Sequence, residues 1–203
     1  MIIKSAQFIT SATQPSQYPP AVLPEIAFCG RSNVGKSSLI NALVNRKSLV
    51  KTSNTPGRTQ LVNFFDINGA FSFVDLPGYG YARVPIAVKR KWPAMIETYL
   101  STRKTLKGVV LIMDLRRTPN QEETNLIDWF DYHGIAKILI LTKADKLSKT
   151  GQKAQHESFA KSFETDKSRL ILFSTKSKQG MENVWQAIEN LIETSETDSR
   201  RIR

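Results

Sequence analysis

Apolar and polar residues alternate along the chain in blocks that predict strands and helices in turn. Short continuous apolar runs, which are typical of strands buried on both faces, cover residues 26–29, 108–113, 138–141 and 170–173. Longer segments with apolar residues three and four positions apart predict helices that begin near residue 38 and that span residues 85–100, 119–132, 149–163 and 181–192. Pro93 would start, kink or break the second of these helices. The alternation of the two kinds of segment predicts an α/β fold.

One pair of apolar runs predicts a hairpin. Residues 61–67 and 70–74 are separated by Asn68 and Gly69, the pair preferred in a type I′ turn. We therefore expect a three-layer α/β fold with a mostly parallel six-stranded sheet, one antiparallel strand, and helices on both faces. Residues 1–24 carry four prolines, and they predict either an irregular lead-in or a segment packed at the sheet edge.

Length and composition are those of a single domain with short flanking segments. The chain has 203 residues, of which 40% are hydrophobic, enough for a substantial core. We expect residues 22–194 to form the domain and residues 1–21 to be an amino-terminal extension. Residues 195–203 mix acidic, hydroxyl and basic side chains and predict a disordered tail.

Cysteine content and the chain ends bear on the compartment. Cys29 is the one cysteine, which excludes an internal disulfide and suits a reducing compartment. The amino terminus lacks the apolar segment of a signal peptide, and no apolar run approaches the ~18 residues needed to span a membrane. Neither end carries a signal for lipid attachment. These observations predict a cytoplasmic protein without a membrane anchor.

A phosphate-binding motif follows the first of the buried runs. Residues 30–37 fit the pattern G-x-x-x-x-G-K-[ST], with a predicted strand before them and a predicted helix after them. Glycine lets the backbone turn so that successive N–H groups point at phosphate oxygens, and the helix adds its positive end. Lys36 is placed to reach the outer phosphates, and the hydroxyl of Ser37 to bind Mg²⁺. The motif predicts a site for a nucleoside triphosphate.

Two further motifs end apolar runs and narrow the class of nucleotide. Asp75 and Gly78 fit the pattern D-x-x-G, in which the aspartate holds the metal through water and the glycine N–H meets the γ-phosphate. Asp145 ends the segment T-K-A-D, in which a carboxylate can accept from two donors of guanine. Adenine presents neither donor, so ATP would leave that carboxylate buried and unpaired. The order of the motifs predicts a guanine nucleotide site beyond the carboxyl ends of the strands.

With these motifs the chain resembles the bacterial ribosome-assembly GTPases of the EngB type, also called YihA or YsxC, over residues 22–192. The carrying segments are residues 30–38, T-P-G-R-T-Q (55–60), D-L-P-G-Y-G-Y-A (75–82), K-R-K-W (89–92) and T-K-A-D-K-L (142–147). The resemblance implies a Ras-like P-loop GTPase fold and Mg²⁺-dependent hydrolysis of GTP to GDP and phosphate. It also implies a monomeric switch protein that binds a large-subunit precursor of the ribosome and its ribosomal RNA, with a part in cell division.

The resemblance assigns the site residues one by one. Thr59 would be the switch threonine that joins Ser37 at the metal only in the GTP state, with Thr55 as a competing candidate. Lys36, Thr59 and Gly78 would carry catalysis. The residues that would contact the nucleotide are Gly30, Arg31, Ser32, Asn33, Val34, Gly35, Lys36, Ser37, Ser38, Gly57, Arg58, Thr59, Asp75, Leu76, Pro77, Gly78, Thr142, Lys143, Ala144, Asp145, Phe173, Ser174 and Thr175.

Three positions set expectations for rate and affinity. Tyr79 stands where Ras-like proteins carry a glutamine that orients the attacking water, which predicts slow intrinsic hydrolysis aided by a partner or a cation. By analogy with related GTPases, Asn33 would ligate a K⁺ ion that stands in for an arginine finger. Thr142 replaces the usual asparagine and keeps a hydroxyl but no amide, which predicts micromolar nucleotide affinity.

A formal charge of +11 predicts a polyanionic partner such as ribosomal RNA. Two basic clusters flank the segments expected to switch, and the second contains a single acid, Glu97. The clusters are Arg46, Lys47, Lys51 and Arg58, and then Arg83, Lys89, Arg90, Lys91, Arg103, Lys104 and Lys107. Tyr79, Tyr81 and Trp92 are candidates for stacking on bases. Two other interpretations stay open: an ATP-using P-loop kinase or ATPase, and a ribosome-binding module in which hydrolysis only sets the timing.

Overall fold

The computed structural model describes residues 1–50, 61–79 and 86–200, with side chains for all of these except residues 86–93 and 194–200. Over these residues seven strands are interspersed with five α-helices. The strands are β1 (Ala6–Ala12), β2 (Glu25–Gly30), β3 (Val62–Ile67), β4 (Phe71–Asp75), β5 (Leu106–Asp114), β6 (Lys137–Thr142) and β7 (Leu170–Leu172). The helices are α1 (Lys36–Leu43), α2 (Ile86–Thr102), α3 (Gln121–Tyr132), α4 (Lys149–Ser162) and α5 (Met181–Arg200). The chain divides into two compact units, Met1–Lys107 and Gly108–Arg203.

The predicted α/β class is confirmed, and the strand count is corrected. In the first unit the strand order is β1-β3-β4-β2, with β4 parallel to β2 and β3 antiparallel to both of its neighbours. In the second unit β5, β6 and β7 run parallel in that order. The prediction of one antiparallel strand among parallel ones is therefore confirmed. The predicted count of six strands is wrong, because the amino-terminal segment adds β1.

The turn between β3 and β4 explains how β1 is recruited. Asn68 and Gly69 have positive φ angles of 59° and 65°, as a type I′ turn requires. The Asn68 side chain accepts hydrogen bonds from the N–H groups of Lys4 and Ser5 at 2.7 and 3.0 Å. The turn thus holds the residues just before β1, which then pairs with β3. Of the two predicted states of the amino-terminal segment, packing at the sheet edge is correct.

Continuous apolar runs form the buried strands, as predicted. All residues of β2 are buried, and so are the last seven of β5. Gly108 in β5 is required by close packing, because a Cβ there would lie 2.8 Å from the carbonyl oxygen of Ala136. Helix α3 begins with a capping box, in which the side chain of Asn120 accepts from the N–H of Glu123 at 3.1 Å and the Glu123 carboxylate accepts in return.

Two helices differ from their predicted bounds. Helix α2 continues through Pro93, which neither starts nor breaks it. Helix α5 continues to Arg200, so residues 195–200 are helical although their composition predicts disorder. The division into residues 1–21, 22–194 and 195–203 stays a prediction. No helix in the part of the chain that the structure describes is long and apolar enough to cross a membrane.

A buried ion pair fastens the end of α2 in the first unit. The Nε of Arg103 donates to both carboxylate oxygens of Glu25, at 2.8 and 2.9 Å, and the hydroxyl of Tyr99 donates to the same carboxylate at 2.8 Å. Only 8% of the Arg103 side chain is exposed, whereas its neighbour Lys104 is exposed. Arg103 therefore belongs to the core. Its assignment to a basic cluster that faces RNA is wrong.

Candidate functional site

The phosphate-binding motif forms the loop between β2 and α1, within the first unit. Gly30 ends β2, and Lys36 and Ser37 begin α1. Gly35 caps the helix with φ 105°, a region that favours glycine. Asn33 also has a positive φ, 65°, and is exposed. Because the loop runs straight into a helix, its N–H groups and the positive end of the helix act at one place, which suits an anion.

Lys36 and Asp75 meet beside this loop. Asp75 ends β4, which runs parallel to β2 with Asp75 opposite Phe28. The ammonium of Lys36 donates to Oδ1 of Asp75. The side chains are 11% and 2% exposed, so the two charges compensate each other in a nearly dry setting. The ammonium of Lys36 is suited to bind phosphate oxygens, and the carboxylate of Asp75 is suited to bind a metal ion. The pair therefore supplies both kinds of group that bind a metal–triphosphate complex.

The D-x-x-G segment lies against the phosphate-binding loop. The N–H of Ser32 donates to the carbonyl of Tyr79 at 2.9 Å, and the N–H of Tyr79 donates to that of Gly30 at 3.3 Å. A Cβ at Gly78 would lie 3.1 Å from Oγ of Ser32 and 3.4 Å from the carbonyl oxygen of Gly30. Glycine at position 78 therefore permits this close approach. A Cβ at this position would push the Ser32 hydroxyl aside by a few tenths of an ångström, so packing favours glycine in addition to the predicted γ-phosphate contact.

The T-K-A-D segment follows β6 in the second unit. Oγ1 of Thr142 donates to the carbonyl of Met113 at 2.9 Å, which ties the end of β6 to β5. The N–H of Ala144 donates to the carbonyl of Phe173 at 3.1 Å, which ties the segment to the chain after β7. Threonine at position 142 is therefore engaged in shaping the loop.

Ser174 holds the carboxylate of Asp145. Oγ of Ser174 donates to Oδ1 of Asp145 at 2.7 Å and accepts from the N–H groups of Lys176 and Ser177 at 3.2 Å each. Ser174 is fully buried, and the Asp145 side chain is 17% exposed. A carboxylate has acceptor positions for about four hydrogen bonds. Asp145 can accept from Ser174 and still accept from the two donors of a guanine edge.

Sequence reasoning missed Asp114, a charged residue of this region, together with its partner Arg116. Asp114 ends β5, is fully buried, and accepts from Arg116 at 2.7 and 2.9 Å and from Nζ of Lys143 at 2.9 Å. Burial alone would raise the pKa of Asp114, but the hydrogen bonds from Arg116 and Lys143 outweigh it and lower that pKa to about 2. A signal was available, because Asp114 ends an apolar run just as Asp75 does.

The predicted site residues fall into three groups. The first unit brings together Gly30, Arg31, Ser32, Asn33, Val34, Gly35, Lys36, Ser37, Ser38, Asp75, Leu76, Pro77 and Gly78. The second unit brings together Thr142, Lys143, Ala144, Asp145, Phe173, Ser174 and Thr175. Gly57, Arg58 and Thr59, with the rival Thr55, lie outside the described residues, as do Tyr81 and the side chain of Trp92. Cys29 is the residue of β2 that directly precedes Gly30, and burial raises the pKa of its thiol to about 12.

Comparisons with known proteins place the chain in a family. Residues 25–143 match the family described as 50S ribosome-binding GTPase. The chain is 57% identical to a protein of Desulfatibacillum aliphaticivorans named "Probable GTP-binding protein EngB", over 95% of this chain and 94% of that relative. It is 52% identical to the protein of the same name from Citrifermentans bemidjiense, over 100% of this chain and 94% of that relative.

Solved structures share the fold. The crystal structure of a probable GTP-binding protein engB matches with a TM-score of 0.71 at 23% identity, over 84% of this chain and 99% of that one. The G-domain of FeoB from Methanococcus jannaschii matches with a TM-score of 0.56 at 25% identity, over 84% and 97%. The family match also decides against the ATP-using kinase or ATPase that the sequence left open. The chain belongs to the 50S ribosome-binding GTPase family and, within it, to the EngB group of P-loop GTP hydrolases.

Proposed function

We propose that this GTPase is a Mg²⁺-dependent switch that acts in assembly of the large ribosomal subunit in the bacterial cytoplasm. The buried Lys36–Asp75 pair carries the first half of the proposal, because it places an ammonium and a carboxylate side by side at the phosphate-binding loop. The family's description as ribosome-binding and the charge of +11 support the second half.

The donor set of the first unit fits magnesium. Mg²⁺ prefers oxygen ligands and keeps several of its waters. Ser37 supplies a hydroxyl in the first turn of α1, and Asp75 supplies a buried carboxylate. By resemblance Thr59, or its rival Thr55, completes the set. When bound, the metal would neutralise negative charge on the outer phosphates.

The chain's own groups then hold the triphosphate and read the base. Backbone N–H groups of residues 31–37 and the Lys36 ammonium stabilise the charge that develops on the transferred phosphoryl group. The N–H groups of Ser32 and Val34 donate to the carbonyls of Tyr79 and Arg31 in this structure, so they would have to exchange these acceptors for phosphate oxygens. Gly78 presents its N–H to the γ-phosphate, and the backbone bonds of Tyr79 with Gly30 and Ser32 hold the D-x-x-G segment against the phosphate-binding loop. Loss of the γ-phosphate releases the switch segments, an order–disorder change. Asp145, oriented by Ser174, selects guanine.

Hydrolysis is slow without help. The side chain of Tyr79 has no amide group with which to orient the attacking water. Asn33 would hold a K⁺ ion, which would supply the missing positive charge, and the exposed position of Asn33 on the loop suits this role.

Lys36→Ala tests the nucleotide half of the proposal. The variant loses the loop's ammonium, and we expect GTP binding to fall below detection in a calorimetric titration. Lys47→Ala, which removes an exposed lysine after α1, is the control and should bind GTP like the wild type. Unchanged GTP affinity in the Lys36 variant would overturn the assignment of the loop.

The ribosomal half rests on basic side chains beside the switch segments. Arg46 and Lys47 are exposed in the first cluster, and Lys104 is exposed in the second. The side chains of Lys89, Arg90 and Lys91 lie outside the described residues. Contacts from such side chains to RNA phosphates release counterions, so affinity should fall steeply with salt.

Pelleting with purified ribosomal subunits across a salt series tests this half. Replacing Lys89, Arg90 and Lys91 by glutamate should weaken binding in the GTP state and flatten the salt slope. The matched control replaces Lys149, Lys153 and Lys161, which are exposed on α4, by glutamate and changes the net charge equally. Equal losses in the two variants, or binding that does not depend on nucleotide, would contradict a specific switch surface.

Complementation separates the switch from a binding module in which hydrolysis is incidental. A variant that binds GTP but does not hydrolyse it should fail to restore ribosome assembly if turnover is part of the function. Full complementation would favour the binding module.

A further inference from the structure

Asp114 accepts four hydrogen bonds, as many as a carboxylate can hold, and three of them come from one neighbour. Its Oδ1 accepts from the backbone N–H and from Nε of Arg116 at 3.1 and 2.9 Å, and its Oδ2 accepts from Nη2 of Arg116 at 2.7 Å. Arg116 lies two residues away and binds both carboxylate oxygens at once, the strong arrangement for this pair of groups. The charge of Asp114 is therefore already compensated within its own strand end and the turn that follows.

Lys143 adds a bond that comes from elsewhere in the chain. Its Nζ donates to Oδ2 of Asp114 at 2.9 Å across 29 positions in sequence. Lys143 is the second residue of the T-K-A-D segment, two positions before Asp145. Since Arg116 satisfies Asp114 locally, the main effect of this bond is to fix the lysine.

The backbone around Lys143 is also held in one conformation. Its φ is 62°, in the left-handed region that residues with a Cβ rarely adopt. The residues before and after Lys143 are also held. Oγ1 of Thr142 donates to the carbonyl of Met113 in β5, and the N–H of Ala144 donates to the carbonyl of Phe173 just after β7. Nε2 of Gln152 donates to the carbonyl of Ala144 at 2.9 Å and braces the segment from α4. These bonds fix the backbone of the segment, whereas the bond to Asp114 fixes the side chain of Lys143.

A lysine whose end is held presents its methylene stem as a fixed apolar surface. The Lys143 side chain is 27% exposed, so part of it remains open to a ligand. The flat face of a purine suits such a surface. An unrestrained lysine would have to be ordered at the moment of binding, which costs affinity.

We propose that Asp114 is a positioning residue of the guanine-binding loop, which it preorganises by holding Lys143. The inference rests on the proposed nucleotide site. It assigns to Asp114 an effect on affinity for the base, exerted through Lys143 and without contact to the nucleotide.

The first measurement is GDP affinity of the full chain by calorimetry. Asp114→Asn keeps the shape of the side chain but removes the charge that holds Lys143, and we expect GDP to bind about tenfold to a hundredfold more weakly. Inorganic triphosphate, which offers phosphates without a base, should compete for the phosphate-binding loop equally well in both proteins. A GDP affinity within about twofold of the wild type would overturn the proposal.

The second measurement tests whether the effect passes through Lys143. Lys143→Met keeps the stem without the charge and leaves Asp114 with all three bonds from Arg116, so this variant folds even if Asp114→Asn does not. We expect Lys143→Met to weaken GDP binding, and Asp114→Asn added to it to change affinity by less than about twofold. Independent, multiplying effects would show that Asp114 does not act through Lys143.

Asp131→Asn is the matched control, because Asp131 forms an ion pair with Lys137 in the same unit but outside the loop. It should bind GDP like the wild type. If the wild type itself does not bind GDP, the proposed function fails and this inference with it. If the wild type binds and both Asp114→Asn and Lys143→Met match it, only this inference fails.

Discussion

The hydroxyl of Ser174 donates a 2.7 Å hydrogen bond to Oδ1 of Asp145 and accepts from two backbone N–H groups of its own loop. The serine is fully buried, so its orientation is fixed by the chain after β7. Asp145 and Ser174 lie 29 positions apart in sequence, and the carboxylate is set before any base arrives.

Ser174→Ala should lower GDP affinity about tenfold. The variant removes a hydrogen bond to a charged group, an interaction of about 1.5–3 kcal/mol, and leaves the N–H groups of Lys176 and Ser177 without their acceptor. Calorimetric titration measures the change. Ser177→Ala is the control, since the contact of Ser177 with Ser174 uses its backbone N–H, and should bind GDP normally.

Asp145→Asn should weaken GTP binding about tenfold to a hundredfold and improve binding of xanthosine triphosphate. The amide can donate where xanthine offers a carbonyl in place of the guanine amine, whereas the carboxylate can only accept. Parallel titrations with the two nucleotides check this. If neither affinity changes, Asp145 does not read the base.

Replacing Na⁺ by K⁺ should raise the rate of GTP hydrolysis if Asn33 ligates the ion. Asn33→Ala should remove the difference between the two salts, because the exposed side chain on the phosphate-binding loop is then gone. Phosphate release at fixed ionic strength is the measurement. If the hydrolysis rates are equal in both salts and Asn33→Ala hydrolyses GTP like the wild type, K⁺ has no role in hydrolysis.

Arg103→Met should destabilise the fold by about 3–5 kcal/mol. The variant leaves the carboxylate of Glu25 buried without its cation, which costs much more than loss of an exposed pair. Denaturant unfolding measures the free energy. Lys137→Met is the matched control, because its partner Asp131 is 63% exposed, and it should cost no more than about 1 kcal/mol. Equal losses in the two variants would contradict the structural role of Arg103.

Asp114 should make stability depend on acid. Its pKa is lowered from 3.8 to about 2 in the folded protein, so its contribution is fully present above pH ~4 and is lost as the pH falls through about 2. The contribution is at most about 2 kcal/mol. The difference in unfolding free energy between the wild type and Asp114→Asn should therefore shrink between pH ~4 and ~2. A difference that stays constant over this range would show that the carboxylate is not stabilised by folding.

Local patterns predicted the parts of the site that depend on local chemistry. Lys36 and Ser37 were predicted from a loop motif, and Asp75 and Asp145 from their positions at the ends of apolar runs. The Asn68-Gly69 turn was predicted because a positive φ at two successive residues is a requirement of the backbone itself. In each case the physical cause lies within a few residues of its effect.

Contacts between distant residues account for what the sequence did not predict. Counting charges along the chain placed Arg103 among free cations, because its partner Glu25 lies 78 positions away. Strand β1 has no clear period-two pattern, since its apolar Phe8 and Ile9 are exposed and are recognised as strand residues only by pairing with β3. Asp114 ends an apolar run, but its role depends on a bond to Lys143, which lies 29 positions away in sequence.

The cover that β1 provides for β3 decides how the protein can be shortened. Without the first twelve residues, β3 would present a row of unpaired backbone N–H and C=O groups, and the same strand of a second molecule could pair with it. Such a shortened protein should aggregate even though its nucleotide-binding residues are intact. Residues attached ahead of Met1 would instead leave the pairing of β1 with β3 intact, because Met1 and Ile2 are 47% and 81% exposed. Affinity tags therefore belong before the first residue, and deletions should stop short of Lys4, because Lys4 and Ser5 are held by the side chain of Asn68.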